Sequence, residues 1–200
     1  MVTDDSVEAS DLQRRSAKIL KTALGIFARD GFAQADVQKI ADAAGVGKGT
    51  VYRHFGSKEG LFLAVARHAR NEVHDEADAH ANSAATPLDR LRRGLMAFVN
   101  YFHRHPEVVE LLIQERANFR DKTPTFFDDS DHRDDHWIQL FEQLVQDGVI
   151  RNLSIPQIRA ALSRFVFGAM FVIYLGGPDM TEPEEAMIDV LLNGLLVRDE

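Results

Sequence analysis

The chain has 200 residues, 45% of them hydrophobic and 27% charged, a composition typical of an ordinary globular protein. It holds no cysteine, which excludes a disulfide framework and thiolate metal sites. Residues 1–11 are polar and acidic, without the order of a signal peptide, so a cytoplasmic protein is expected. The net charge of −8 argues against nucleic acid only as an average, because positions 12–58 carry nine Lys/Arg against three acids, or +6, and the remainder 14 against 28, or −14.

Proline and glycine are sparse, no stretch alternates like a strand, and nothing repeats internally. These features predict an all-α chain of about nine helices. Residues 1–11 read as a flexible acidic lead. The first helix is expected over 12–30, where Leu20, Ala23, Leu24, Phe27 and Ala28 form one stripe and Gly31 supplies the stop. A short second helix follows, capped by Asp36, with Val37, Ile40, Ala41 and Ala44 inward and Gly45 ending it. The third covers about 47–54. Gly56-Ser57 then leads into a long fourth, with Ser57 as cap and Leu61, Phe62 and Val65 inward, running to about 81. Pro87 opens the next, and helices over 88–104, 106–119, 125–146, 156–175 and 183–197 complete the reading. The longest apolar run, 165–175, is short of a membrane span and has Arg159 and Arg164 just upstream.

Two short helices joined by the turn Gly45-Val46-Gly47 make a helix-turn-helix. Val46 and Val51 suit the inner angle. The opposite face then carries Lys48, Thr50, Tyr52, Arg53 and His54, all donors that phosphates or base edges accept. This basic head on an acidic body has the electrostatic footprint of a binder of polyanions, docked by its head alone.

The string I-A-x-A-A-G-V-x-K-G-T-V-Y-x-H-F-x-S-K-E at 40–59, preceded by F-A-R-D-G-F at 27–32, resembles the TetR family of bacterial regulators over roughly residues 12–62. The resemblance implies a DNA-binding domain over 12–58 and a helical dimerisation and ligand-binding domain over 59–200. It also implies a recognition helix at 47–54, with Lys48 and Gly49 where that helix meets the groove. Thr50, Tyr52, His54 and Lys58 match positions that clamp phosphates, and Gln38 matches one that reads a base, for which its amide suits adenine. Two departures stand out. Gly47 replaces a serine common at that helix start, and Ala35-Asp36 replaces a frequent Thr-Thr.

In the C-terminal part, Phe98, Tyr101 and Phe102, then Trp137 and Phe141, then Phe165 present aromatic faces at helical spacing. A plain core would use them in the same way. The resemblance implies a pocket among the middle helices; the rings suit a small hydrophobic or aromatic ligand there, with Tyr101 and Arg116 expected as its orienting polar contacts. Over 165–175 the chain is apolar all round, more than one buried stripe needs. Phe165, Gly168, Ala169 and Val172 with Met187, Val190, Leu191 and Gly194 are therefore the expected dimer interface of a two-fold four-helix bundle. A symmetric dimer predicts a pseudo-palindromic operator. Repression by occlusion, relieved by a small molecule, is likewise what the resemblance implies.

The cluster at 128–136, with His132 and His136 one turn apart, reads first as an acid-capped helix start. The competing reading is a divalent-ion site, completed by Glu115 or by His103 and His105, in a metal-dependent enzyme. A regulator with no small-molecule ligand is a further alternative. No Ser/His/Asp or paired-carboxylate arrangement falls on a defined turn, so neither catalysis nor a cofactor nor a metal is expected.

Overall fold

The computed structural model describes residues 4–125, 135–176 and 183–196, and the regular structure among them is helical. The elements are α1 (Asp4–Gln34), α2 (Val37–Ala44), α3 (Lys48–Phe55), α4 (Lys58–Asn82), α5 (Pro87–Arg104), α6 (Pro106–Asn118), α7 (Asp135–Gln146), α8 (Ile155–Tyr174) and α9 (Pro183–Leu195). An isolated antiparallel bridge pairs Ile150 with Leu196.

Most boundaries follow local chemistry. Gly31, at φ 78° and ψ 154°, breaks α1, and one further turn carries the chain to Gln34. Asp36 caps α2 by accepting the Gln38 N–H at 2.8 Å. Ser57 Oγ accepts the Gly60 N–H at 2.9 Å at the start of α4, and Thr86 accepts that of Asp89 at 3.1 Å where Pro87 opens α5.

One expected boundary is corrected: helix α1 begins at Asp4 rather than 12, so residues 4–11 belong to it. They carry no apolar stripe for a pattern to detect, yet Asp4, Asp5 and Glu8 are residue types that favour a helix amino end. Thr125 donates its N–H and its hydroxyl to buried Glu115 on α6 and is not α-helical, the next described helix being α7 from Asp135. Most of the acid/His cluster, including Asp128 and His132, lies outside the described residues, as does the expected end of the last helix at 197.

The chain divides into two compact units: Met1–Arg70 with Glu110–Phe127, and Asn71–Val109 with Asp128–Glu200. The division differs from one at residue 58, since 59–70 and 110–127 fall with the helix-turn-helix. The first unit is built on Ile19, Phe27, Ile40, Val51, Leu61 and Phe62, joined by Leu111 and Phe119 of the 110–127 segment. Phe119 stands edge-on to Phe32 with ring centroids 5.0 Å apart, and Phe62 meets Phe27 likewise at 5.1 Å. In the second unit α5, α7, α8 and α9 bury Leu91, Leu144, Ile158 and Ile188 together.

Helix α8 lies where a helix over 156–175 is expected, but its apolar length exceeds the conspicuous run. The run 165–175 alone is short, but the helix starts at Ile155, and Ile155–Val172 is long and apolar enough to cross a bilayer by length and composition. Only 18% of that stretch is buried. Phe171, Val172, Tyr174 and Leu175 at its end are exposed, and so is Val190 on α9.

Candidate nucleic-acid interface

A sharp reversal between two short helices needs a residue tolerant of positive φ, and Gly45 supplies it at φ 72°. Its N–H returns to Asp42 O at 3.1 Å and that of Val46 to Ala41 O at 3.0 Å, so these two carbonyls of the last turn of α2 are satisfied within the turn. Lys18 of α1 lies over this turn, its Nζ 3.4 Å from where a Cβ at position 45 would stand. Gly47 then caps α3 through its backbone, with no side-chain bond.

Helix α3 is seated by Val51, which is 1% exposed, and by half-buried Val46 and Phe55 packed on the same core. Its other face carries Lys48, Gly49, Tyr52, Arg53 and His54, all exposed, with Thr50 half-buried at the edge. Lys48, Tyr52 and Arg53 have no hydrogen-bond or ion-pair partner among the described residues. That leaves an ammonium, a phenol and a guanidinium on one face, with no acid in α3 to neutralise them. Nothing stands over Gly49, so backbone there can approach a ligand closely.

Two expected contact residues are already engaged. Gln38 Nε2 donates to Asp42 Oδ1 at 2.7 Å, so reading a base would require that bond to be exchanged. Lys58 Nζ donates to Ala33 O at 2.9 Å and sits 5.2 Å over the Phe32 ring, which ties the start of α4 to the turn before α2.

Comparison with known proteins supports the same reading. A sequence profile described as "Bacterial regulatory proteins, tetR family" matches residues 19–65, which span this whole assembly. The chain is 30% identical over 141 residues to the HTH-type transcriptional repressor KstR2 of Mycolicibacterium smegmatis, an alignment covering 68% of each. The chain belongs to the TetR family. It is also 33% identical over 113 residues to the HTH-type transcriptional repressor NicS of Pseudomonas putida, covering 56% of this chain and about half (53%) of that one. A TetR family transcription regulator from Marinobacter aquaeolei VT8 shares the fold, with TM-score 0.77, 20% identity, and coverage of 95% of this chain and all of the other. The protein is therefore a DNA-binding transcriptional regulator, and proteins of this family bind DNA and act as dimers.

In this TetR-family chain the second unit gathers most, though not all, of the expected pocket residues. Phe98, Tyr101 and Phe102 make ring contacts along α5, with Phe98 also edge-on to His74 at 5.6 Å. Phe141 belongs to the core among α5, α7, α8 and α9, and Trp137 and Phe165 pack against it. The Trp137 indole N–H is taken by Asp78 at 2.9 Å, and its ring lies so close to Gly94 that a Cβ there would overlap Cη2. Arg116 is not with these rings. It is exposed in the first unit, its guanidinium on the carbonyls of Lys122 and Arg120 in the turn beyond the end of α6. The helical pattern of α6 does not distinguish a ligand contact from a residue that secures the following turn.

Of the expected interface residues, Gly168, Val172, Val190 and Gly194 are exposed, while Phe165, Ala169, Met187 and Leu191 are half-buried. A Cβ at Gly168 or Gly194 would meet nothing. His136, the described end of the acid/His cluster, bonds Asp78 at 2.8 Å, and the described residues hold no group of three or more metal-ligating side chains. Gln114, whose amide bonds backbone of α1, is missed by sequence reasoning, because a lone glutamine on a helix announces nothing.

Proposed function

We propose that this regulator represses transcription as a symmetric dimer on a pseudo-palindromic operator and leaves it when a small apolar ligand binds the helical part over 59–200. The observation that carries the DNA-contacting assignment is α3: Val51 fixes its inner face while Lys48, Tyr52 and Arg53 are left without partners on its outer one. Such donors gain little from one another and much from phosphate oxygens. Lys48, Gly49, Thr50, Tyr52, Arg53 and His54 then face DNA, with Gln38 at the groove edge and Lys58 serving phosphate only if it leaves Ala33. Repression follows the names of the two curated relatives.

The dimer part rests on the exposed apolar surface of α8 and α9, which water disfavours and a second copy of the same surface would cover. A ligand acts by favouring a spacing of the two recognition helices that no longer matches successive turns of the major groove, and its coupling to DNA is reciprocal.

The test uses a duplex that the wild type selects from a random pool. Changing Lys48, Tyr52 and Arg53 together to alanine should abolish detectable binding, and log affinity of the wild type should fall linearly with log salt. Unchanged affinity in the triple variant removes the α3 assignment. Titration of hydrophobic compounds, followed by the single tryptophan, should find one that releases DNA at the concentration that alters emission. If compounds that alter emission all leave DNA affinity unchanged, the ligand part fails and the DNA part stands.

A further inference from the structure

The break in α1 at Gly31 sits between the long arm of that helix and the turn from which the chain enters Asp36 and α2. A glycine hinge is soft, because no Cβ restricts its torsions. Something outside the hinge must fix its angle if α2 and α3 are to meet DNA in one register.

Gln114 spans this break. Its Oε1 accepts the N–H of Phe32 at 2.9 Å on one side of Gly31, and its Nε2 donates to the carbonyl of Phe27 at 3.0 Å on the other. Nε2 also donates to Glu110 Oε1 at 3.0 Å, one turn back on α6. The amide cannot be reversed, since that would set N–H against NH2 and C=O against C=O. The same turn is held by Lys58 on Ala33 O and by Phe119 edge-on to Phe32, while Lys122 pairs with Glu59. The rings supply cohesion without direction. The two amide bonds, ending on backbone atoms either side of a hinge, supply direction.

We propose that Gln114 is a positioning residue for DNA recognition: its amide locks the Gly31 hinge and so sets the angle at which the helix-turn-helix is presented. The proposal rests on the α3 face being the DNA-reading surface. Gln114 acts through the backbone of Phe27 and Phe32. Its loss therefore removes discrimination, which depends on register, more than the electrostatic attraction that any duplex enjoys.

The experiment compares binding of the wild type, Gln114→Met and Gln114→Glu to the duplex selected by the wild type and to a scrambled duplex of equal composition. Methionine keeps length and removes both arms, whereas glutamate keeps the acceptor for Phe32 and removes the donor for Phe27. For Gln114→Met, selected-duplex affinity should fall about tenfold while scrambled-duplex affinity stays within about twofold, on the scale of one misplaced base contact. Gln114→Glu should lower the ratio by at least as much, because its carboxylate faces the carboxylate of Glu110 and the carbonyl of Phe27. A stabilising role alone would lower Tm and leave the selected-to-scrambled ratio intact, and that result in folded variants overturns the proposal. If Gln114→Met loses its helical circular dichroism, the ratio measured on Gln114→Glu decides. Unfolding of both also overturns it, since a residue the fold cannot do without is not a positioning device. A wild type that enriches no sequence overturns the DNA-reading surface itself, a failure distinct from that of the clamp.

Discussion

Tyr101 is buried, its hydroxyl donating to Glu72 Oε2 at 3.2 Å and its ring 4.3 Å from that of His105. Burial first, then the charge and hydrogen bond of Glu72, then the charges of Glu107 and Glu76 push the phenol far above its ordinary value of 10.0. An unfolded chain releases this proton near pH 10, whereas the folded one keeps it to higher pH. The stability tied to Tyr101 is therefore fully present below pH 10 and is lost as pH rises above it. Tyr101→Phe should cost about 1 kcal/mol at neutral pH through the lost hydrogen bond. Its urea midpoint should then decline less steeply than that of the wild type between about pH 9 and pH 11. Parallel declines would mean that burial and Glu72 do not hold the Tyr101 proton in solution. Individual residues are where reading from sequence has least purchase. Tyr101 and Arg116 were expected to serve a ligand together, and the second instead secures backbone carbonyls in the other unit. Likewise Lys58, whose type alone suits DNA, holds a carbonyl that no spacing announces, whereas Gln38 bonds Asp42 one helical turn away.

At the scale of elements, the helix-turn-helix is the most legible part because its determinants are local. Asp36, Gly45, Gly47 and Val51 act within one or two turns of themselves, so their order along the chain is enough to place α2 and α3. The start of α1 and the place of α6 were not legible, since neither depends on a local pattern. Residues 4–11 show no stripe, and Leu111 and Phe119 are simply apolar until the fold sets them beside Phe62. The two short helices differ in their caps, and this has a measurable consequence. Asp36→Ala removes the bond to the Gln38 N–H and should destabilise the first unit by about 1 kcal/mol, while Asp36→Asn should cost far less. Gly47→Ser, at φ −74° and ψ 146°, gives α3 the side-chain cap it lacks and should add only a few tenths of a kcal/mol. An Asp36→Ala variant with the wild-type urea midpoint would show that the Asp36 side chain carries no capping energy.

For the molecule as a whole, the division of charge, the bounds of α8 and the apolar surface of α8 and α9 were visible beforehand; how far the apolar character extends along α8 was not. Its extra turns precede the conspicuous run, and Arg159 and Arg164 interrupt the composition that a reader weighs. A helix so apolar yet so little buried needs a covering, and within this family the proposed covering is its own symmetry mate. Gly168 offers a clean test, because it is exposed and a Cβ there meets nothing within the chain. Gly168→Arg therefore adds no strain to the folded subunit. In a two-fold bundle, by contrast, it places a guanidinium in a desolvated contact facing its own copy, where an unpaired charge costs several kcal/mol. The variant should sediment as a monomer at micromolar concentration and keep the helical circular dichroism of the wild type. Its affinity for the selected duplex should drop by at least about a hundredfold, because each head must then bind its half-site alone. Val190→Glu, on exposed surface of α9, should act in the same direction. If both variants remain dimers and bind DNA as the wild type does, the subunits associate through another surface. If the wild type itself sediments as a monomer, the two-fold model and the palindromic operator fall together, and the exposed face of α8 must be covered by something other than a second copy of this chain.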